Sequence, residues 1–318
     1  MKNFSKSPFM YMAKAKVKLF NKKDQTSTGY KKFNKLLIQN SIEDHHYDIL
    51  RLLAEYRYLT VLTIDTFLKG SENNFWTSLT GEERRKIINH SLRFLKDEGI
   101  VQHNVIMWRS GDINDRTRTP NYYKLTKGGI ACIKKLWKLP INIDKYSIKL
   151  PIHIILKELA INQMIANFKL KVQHLENITL NKKIKNSKTK EWFNLRVIFT
   201  IKKDATTVQF VVEPVRRNNS WKKEITTKLS ILEGIFKINE GQINDELVEN
   251  PTIILLCEDV LHAEECFRVL HEAGLINENI FFTTDSLQFS AETINTLMKI
   301  KINNKKINLV EYELDYLS

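Results

Sequence analysis

The chain has 318 residues, with 50 Lys and Arg against 36 Asp and Glu, a formal charge of +14. A hydrophobic content of 42% with 27% charged residues marks a globular chain, long enough for two domains. No run approaches the roughly 18 apolar residues that cross a bilayer, and Cys132, Cys257 and Cys266 are too few and scattered for a disulfide framework or a metal motif.

The basic surplus is concentrated at the start. Residues 1–40 carry ten Lys and one acid, Asp24, whereas residues 141–318 are nearly balanced. Such a chain is expected to meet a polyanion. Residues 1–40 read as a flexible basic arm in which Lys14, Lys16 and Lys18 contact phosphates. Phe4, Phe9, Met10, Tyr11 and Met12 are interleaved with basic residues of this arm as in an amphipathic anchor. A membrane is nevertheless not the expected partner, because the next domain accounts for the charge. The N-terminus lacks the continuous apolar stretch of a secretory signal. Unpaired cysteines fit a reducing compartment, so a cytoplasmic location is expected.

Residues 41–138 form the first expected domain. Residues 46–57 make a helix with Ile49, Leu50, Leu53 and Ala54 inward, and residues 60–69 make a second. The third runs over 80–98. Thr80 and Glu83 form its capping box, and Gly99 stops it. Ile88, Leu92 and Leu95 make its apolar stripe, and Arg84, Arg85, Lys86, Asn89, His90 and Arg93 read as the opposite side. A strand over 100–108, a polar turn over 109–121, a strand over 122–126 and a helix to 137 follow. Three helices followed by a two-stranded hairpin is the order of a winged helix-turn-helix, whose third helix enters the major groove. The six polar residues of the third helix are therefore expected to face double-stranded DNA. Arg and Asn have the bidentate geometry for guanine and adenine edges. Arg116, Arg118 and Thr119, at the hairpin tip, are expected to follow the backbone or minor groove. Winged helices also dock proteins, which is the alternative use.

Residues 139–151 read as a linker, and 152–318 as an α/β domain. Its expected elements are a long helix over 152–173, strands over 193–201 and 208–215, a helix over 221–237, an apolar strand over 251–259, a helix over 262–274 and a strand over 278–284. Residues 174–192 and 300–318 are not assigned, though 302–317 could hold a strand and tail. This order raises a metal-dependent nuclease, in which Glu158 and Glu213 would hold Mg²⁺ beside Lys228. The second strand-borne carboxylate falls at Asn194, Leu195 or Arg196, and the strand-end Lys falls at Val215. Only Arg216 or Lys228 could supply the missing cation. The centre is therefore expected to be inactive and without a cofactor, with Glu213 a sheet-edge carboxylate paired to Lys228.

The segment FVVEPVRRNNSWKKEITTKLSILEGIF places Glu213, Arg216, Arg217 and Lys228 in a pattern that resembles the replication-relaxation family of conjugative and mobilisable elements in Gram-positive bacteria. His153 and Asn162 in IHIILKELAINQM, and the later PTIILLCEDVLHAEECFRVL and ENIFFTTDSL, fit the same pattern. The resemblance spans roughly residues 45–290. It implies a winged helix joined to a restriction-endonuclease-like domain, and double-stranded DNA binding in transfer or replication beside a relaxase or replication protein. A homodimer is compatible with it. Members often carry an Asp at the strand start, which is missing here. A transcriptional regulator of a mobile element, and a nuclease with a rearranged site, are the alternative functions.

Overall fold

A computed structural model describes residues 7–12, 15–19, 28–107, 120–137, 150–172, 175–185, 192–203, 206–238, 251–290, 297–303 and 306–312. The fold is mixed α/β and divides into two compact units. One comprises residues 14–162, the other residues 1–13 together with 163–318.

The first unit begins with β1 (Lys16–Leu19) and α1 (Tyr30–Ile38), followed by α2 (Asp44–Tyr56), α3 (Val61–Lys69), the short α4 (Asn74–Thr77) and α5 (Gly81–Asp97). Next come β2 (Val101–Met107), β3 (Asn121–Leu125) and α6 (Lys127–Trp137). The strands form an antiparallel sheet in the order β1-β2-β3. Leu59, between α2 and α3, bridges to Tyr123 of β3 through a reciprocal pair of backbone hydrogen bonds of 3.1 and 2.8 Å. The expected arm over 1–40 is thus structured where it is described: residues 16–19 are a strand and 30–38 a helix.

Local chemistry sets these boundaries. Thr80 and Glu83 form the reciprocal capping box that opens α5. At its other end Gly99 has φ 71°, Gly99 N–H reaches Lys96 O at 2.9 Å and Ile100 N–H reaches Leu95 O at 2.9 Å. That pair of bonds is a Schellman stop, and the positive φ is why a glycine stands there. Gly129 has a different reason. A Cβ on it would lie 2.2 Å from Ile100 O, so α6 can approach the start of β2 only without a side chain at that position. Ile49, Leu50, Leu53, Ile64, Ile88, Leu92 and Leu95 are all fully buried in the core.

The helix α7 (Ile152–Lys171) starts where a second domain was expected, but the boundary lies within it. Asn162 shows why its first half belongs with the first unit: its side-chain amide donates to Tyr56 O and Tyr58 O, each at 2.8 Å. These carbonyls flank Arg57, whose φ is 64°. The expected linker over 139–151 falls largely outside the described residues.

The second unit is built on β4 (Leu175–Lys185), β5 (Trp192–Lys203), β6 (Thr206–Pro214), α8 (Trp221–Ile238), β7 (Thr252–Cys257), α9 (Val260–Glu272), β8 (Ile280–Thr284), α10 (Asp285–Ser290), β9 (Leu297–Asn303) and β10 (Lys306–Tyr312). Among the described residues its sheet has seven strands in the order β10-β9-β8-β7-β6-β5-β4. Only β6, β7 and β8 run parallel, joined by the crossover helices α8 and α9. TIILLC of β7 has no polar alternation because both faces of that strand are covered. On one face Val211, Ile253, Leu255 and Phe282 share a core with Ile225 and Leu229 of α8 and Phe267 and Leu270 of α9. On the other, Phe168 of α7 meets Phe199, which stacks on Phe210 with ring centres 4.8 Å apart. The unassigned Lys-rich stretch after 174 is largely β4, paired antiparallel with β5.

Candidate nucleic-acid interface

The helix α5 has two sides with different chemistry, and they do not divide where its charges suggest. Arg84 lies four residues before Ile88 and eight before Leu92, so helical spacing places it on the apolar stripe. It is 4% exposed. Its Nε donates to Asp65 of α3 at 2.5 Å, and its Nη1 donates to Leu79 O at 3.1 Å and Trp76 O at 3.4 Å. Arg84 therefore pins α3, α4 and the start of α5 together, and its expected place at a DNA surface is corrected.

The remaining five stay on the outer side. Arg85, Lys86, Asn89, His90 and Arg93 are exposed. Arg85, Asn89 and Arg93 repeat at four-residue intervals, and Lys86 and His90 run beside them, so all five share one stripe. Two are lightly tethered: Lys86 Nζ meets Glu82 at 2.8 Å, and Arg85 Nε donates to Gly81 O at 2.9 Å. Asn89, His90 and Arg93 carry no side-chain hydrogen bond or ion pair among the described residues. A rigid helix thus offers three cations, an amide and an imidazole without a carboxylate partner beyond Glu82. At the inner edge of the same unit His46 is held neutral, its pKa lowered to about 4 by burial and then by His45 and His90.

Lys16 and Lys18 are exposed on β1. Lys14, Arg116, Arg118 and Thr119 lie outside the described residues.

The nuclease-like positions of the second unit give a different picture. Glu213, at the end of β6, is 3% exposed, and its Oε1 accepts from Lys228 Nζ of α8 at 2.6 Å. The pairing is the one read from the sequence, but the location is not a sheet edge, because β6 lies between β5 and β7. Asn194 is exposed, Leu195 is buried, and Arg196 donates to Asn181 Oδ1 at 3.0 Å. Glu158 falls in the other unit from Glu213. No group of three or more His, Cys, Asp or Glu able to hold a metal occurs among the described residues. One carboxylate already neutralised by an ammonium is a poor match for Mg²⁺, which takes carboxylates and waters in an octahedron.

Sequence reasoning missed a polar cluster at the carboxyl ends of the three parallel strands. Arg216, after β6, is fully buried. It donates to Asp285, which follows β8, at 2.8 Å and to Leu256 O at 3.2 Å. It is therefore not available as a catalytic cation. Burial pushes Asp285 up to about 7, against the pull of the Arg216 guanidinium. Glu258, after β7, is also raised by burial, and it accepts from Tyr11 N–H at 2.8 Å and Arg217 N–H at 3.1 Å. Ser7 donates its hydroxyl to Asp285. Residues 7–11 thus cover these strand ends. An acid directly after each of two apolar strands, CED and TTD, was the available signal, since the carboxyl ends of parallel strands are where open α/β sheets gather polar groups.

No family model, curated protein or solved structure matches the chain.

Proposed function

We propose that the protein binds double-stranded DNA through the outer stripe of α5, without cutting it, as an accessory in the transfer or replication of a mobile element. The observation that carries this reading is the exposure of Arg85, Lys86, Asn89, His90 and Arg93 on one side of a helix whose other side is locked in the core. The elements around it support a winged helix: α2, α3 and α5, with the short α4 between the last two, then antiparallel β2 and β3, with Leu59 bridging to β3. The positive end of the chain supports it as well. In this reading Arg93 and Asn89 reach base edges, while Arg85 and Lys86, nearer the helix start, contact phosphate.

The second unit, with parallel strands flanked by antiparallel ones and helices on both faces, is compatible with the restriction-endonuclease-like half of the replication-relaxation family, which the chain resembles at Glu213, Arg216, Arg217 and Lys228. All four are held in ion pairs, Glu213 with Lys228, Arg216 with Asp285 and Arg217 with Asp259, and in this reading the unit acts as a scaffold or docking platform for a relaxase or replication protein. The family assignment rests on these residues and on element order.

The experiment is fluorescence anisotropy of the purified chain with duplexes from the neighbourhood of its own coding region and with scrambled duplexes, each at two salt concentrations and with Mg²⁺ present. Preference for native duplex, steep weakening with salt and intact DNA afterwards support the proposal. Equal weak binding to every duplex removes the sequence-reading role, and Mg²⁺-dependent nicking lost in Glu213→Ala returns the protein to the nucleases. A footprint confined to promoters would assign the same interface to transcription.

A further inference from the structure

The first unit also holds a pocket of about 590 Å³, within the range of small-molecule sites. Its floor is one face of the three-stranded sheet. Lys124 and Tyr122 of β3 alternate onto that face, opposite Gln102 and Asn104 of β2, and Leu19 of β1 lies opposite Asn104. Tyr58 closes one side, edge-to-face on Tyr122 with ring centres 5.4 Å apart. Ile152 and Ile155 of α7 add an apolar wall.

The lining contains no carboxylate. Lys124 is only partly exposed, and it makes no hydrogen bond or ion pair among the described residues. Burial, and then the like charge of Arg57, lower its pKa. An ammonium drawn partly out of water without a counter-ion is unfavourable unless something supplies the negative charge. Gln102 adds a side-chain amide with no other hydrogen bond among the described residues. The Tyr58 and Tyr122 hydroxyls stay protonated, since burial raises both. The lining therefore offers Lys124, with Lys16 and Lys18 of β1 beside it, hydrogen-bond donors and an apolar wall, and the one carboxylate among the described residues whose field reaches it, Glu158, acts on Tyr58 from outside the lining.

We propose that this pocket binds a small organic anion, with a carboxylate or phosphate monoester on Lys124 Nζ and a ring-sized apolar body against Leu19, Ile152 and Ile155. The site is separate from the α5 stripe and does not depend on DNA being the partner of that stripe.

The test is isothermal titration of the full chain with benzoate, phenyl phosphate and inorganic phosphate. One-site saturation by benzoate or phenyl phosphate, with inorganic phosphate much weaker, is the expected result, and the better of the two probes identifies the acidic group. Lys124→Met should weaken the better probe about tenfold, the usual worth of a hydrogen bond to a charged group. Lys124→Arg should keep most of the affinity. Gln102→Ala, which leaves the charge in place, should weaken it by a smaller factor and guards against a misfolded Lys124 variant. Absence of saturation by both ring-bearing probes at about 10 mM overturns the proposal. So does binding untouched by Lys124→Met and Gln102→Ala, or inorganic phosphate binding as well as the ring-bearing probes. If the probes fail while Lys124→Met weakens duplex binding, Lys124 is a DNA phosphate contact and the pocket has no small ligand.

Discussion

Two arginines in one helix illustrate how position decides what a charge does. Arg84 and Arg93 are nine residues apart in α5, yet one is sealed against Asp65 and two carbonyls while the other is exposed and without a partner among the described residues. Arg84→Ala would leave Asp65 buried with no cation, a change that typically costs about 3–5 kcal/mol. Arg93→Ala should shift stability by less than about 0.5 kcal/mol. Urea unfolding of both variants separates them, and equal effects would contradict the division of the helix. Asp285 makes a residue-scale prediction in pH. Its folded pKa, about 7, lies above the ordinary 3.8, so its stabilising contribution is full below the ordinary value and is lost as pH rises through the folded one. Asp285→Asn should therefore be less penalised, relative to the parent, as pH climbs from about 4 to 7. His46, whose pKa is lowered to about 4, works in the opposite direction over much of that window, losing stability as pH falls. The readable quantity is thus the difference in melting temperature between variant and parent at each pH. A constant difference would contradict a raised Asp285.

Elements were legible to the extent that their signals were local. The two ends of α5 were written in Thr80, Glu83 and Gly99, and the structure closes them with the corresponding capping box and Schellman bonds. The apolar TIILLC read directly as a buried strand. In contrast, LENITLNKKIK of β4 has a mixed pattern, because among the described residues it is an edge strand paired on one side, and nothing local announces it. The site was half legible for a related reason. Charge and periodicity found the outer stripe of α5, and the same periodicity applied to Arg84 would have removed it from that stripe. Its partner Asp65, in contrast, comes from another helix and only the packing reveals it. Asn162 belongs to this scale too. It matched a family pattern in the sequence, and in the structure it is a clamp on the turn between α2 and α3. Asn162→Ala strips two buried carbonyls of their donor and should destabilise the first unit by about 2–4 kcal/mol. Hydrogen exchange in α2 and α3 would show this as faster opening; unchanged exchange there would mean that the clamp is dispensable.

At the scale of the molecule the two units are not two consecutive stretches of chain. Residues 1–13 belong with 163–318, and Ser7, Phe9 and Tyr11 are the reason: two bind the acids at the ends of β7 and β8, and Phe9 is 1% exposed. Removing residues 1–12 should lower the stability of the second unit by about 3 kcal/mol or more, the sum expected for one buried aromatic and a charge-assisted hydrogen bond. A chain lacking them that melts unchanged would show that this segment does not contribute. Sequence reasoning placed the arm by its charge, as a DNA contact. Phe9, Met10 and Tyr11 stand out only as an amphipathic pattern, and nothing local announces that Ser7 and Tyr11 seat on acids 278 and 247 positions away.

The central claim is that the outer stripe of α5 meets DNA, and the salt dependence of duplex binding tests it most directly. Each phosphate contact contributes about 0.9 to the slope of log affinity against log salt. Affinity for a duplex should fall steeply with salt in the parent. Arg85→Ala should reduce the slope by about one, and Arg93→Ala should erase the preference for native over scrambled duplex, both with unchanged unfolding curves. If both variants bind duplex with the parent's affinity, slope and preference, the stripe does not touch DNA and the proposed function is wrong.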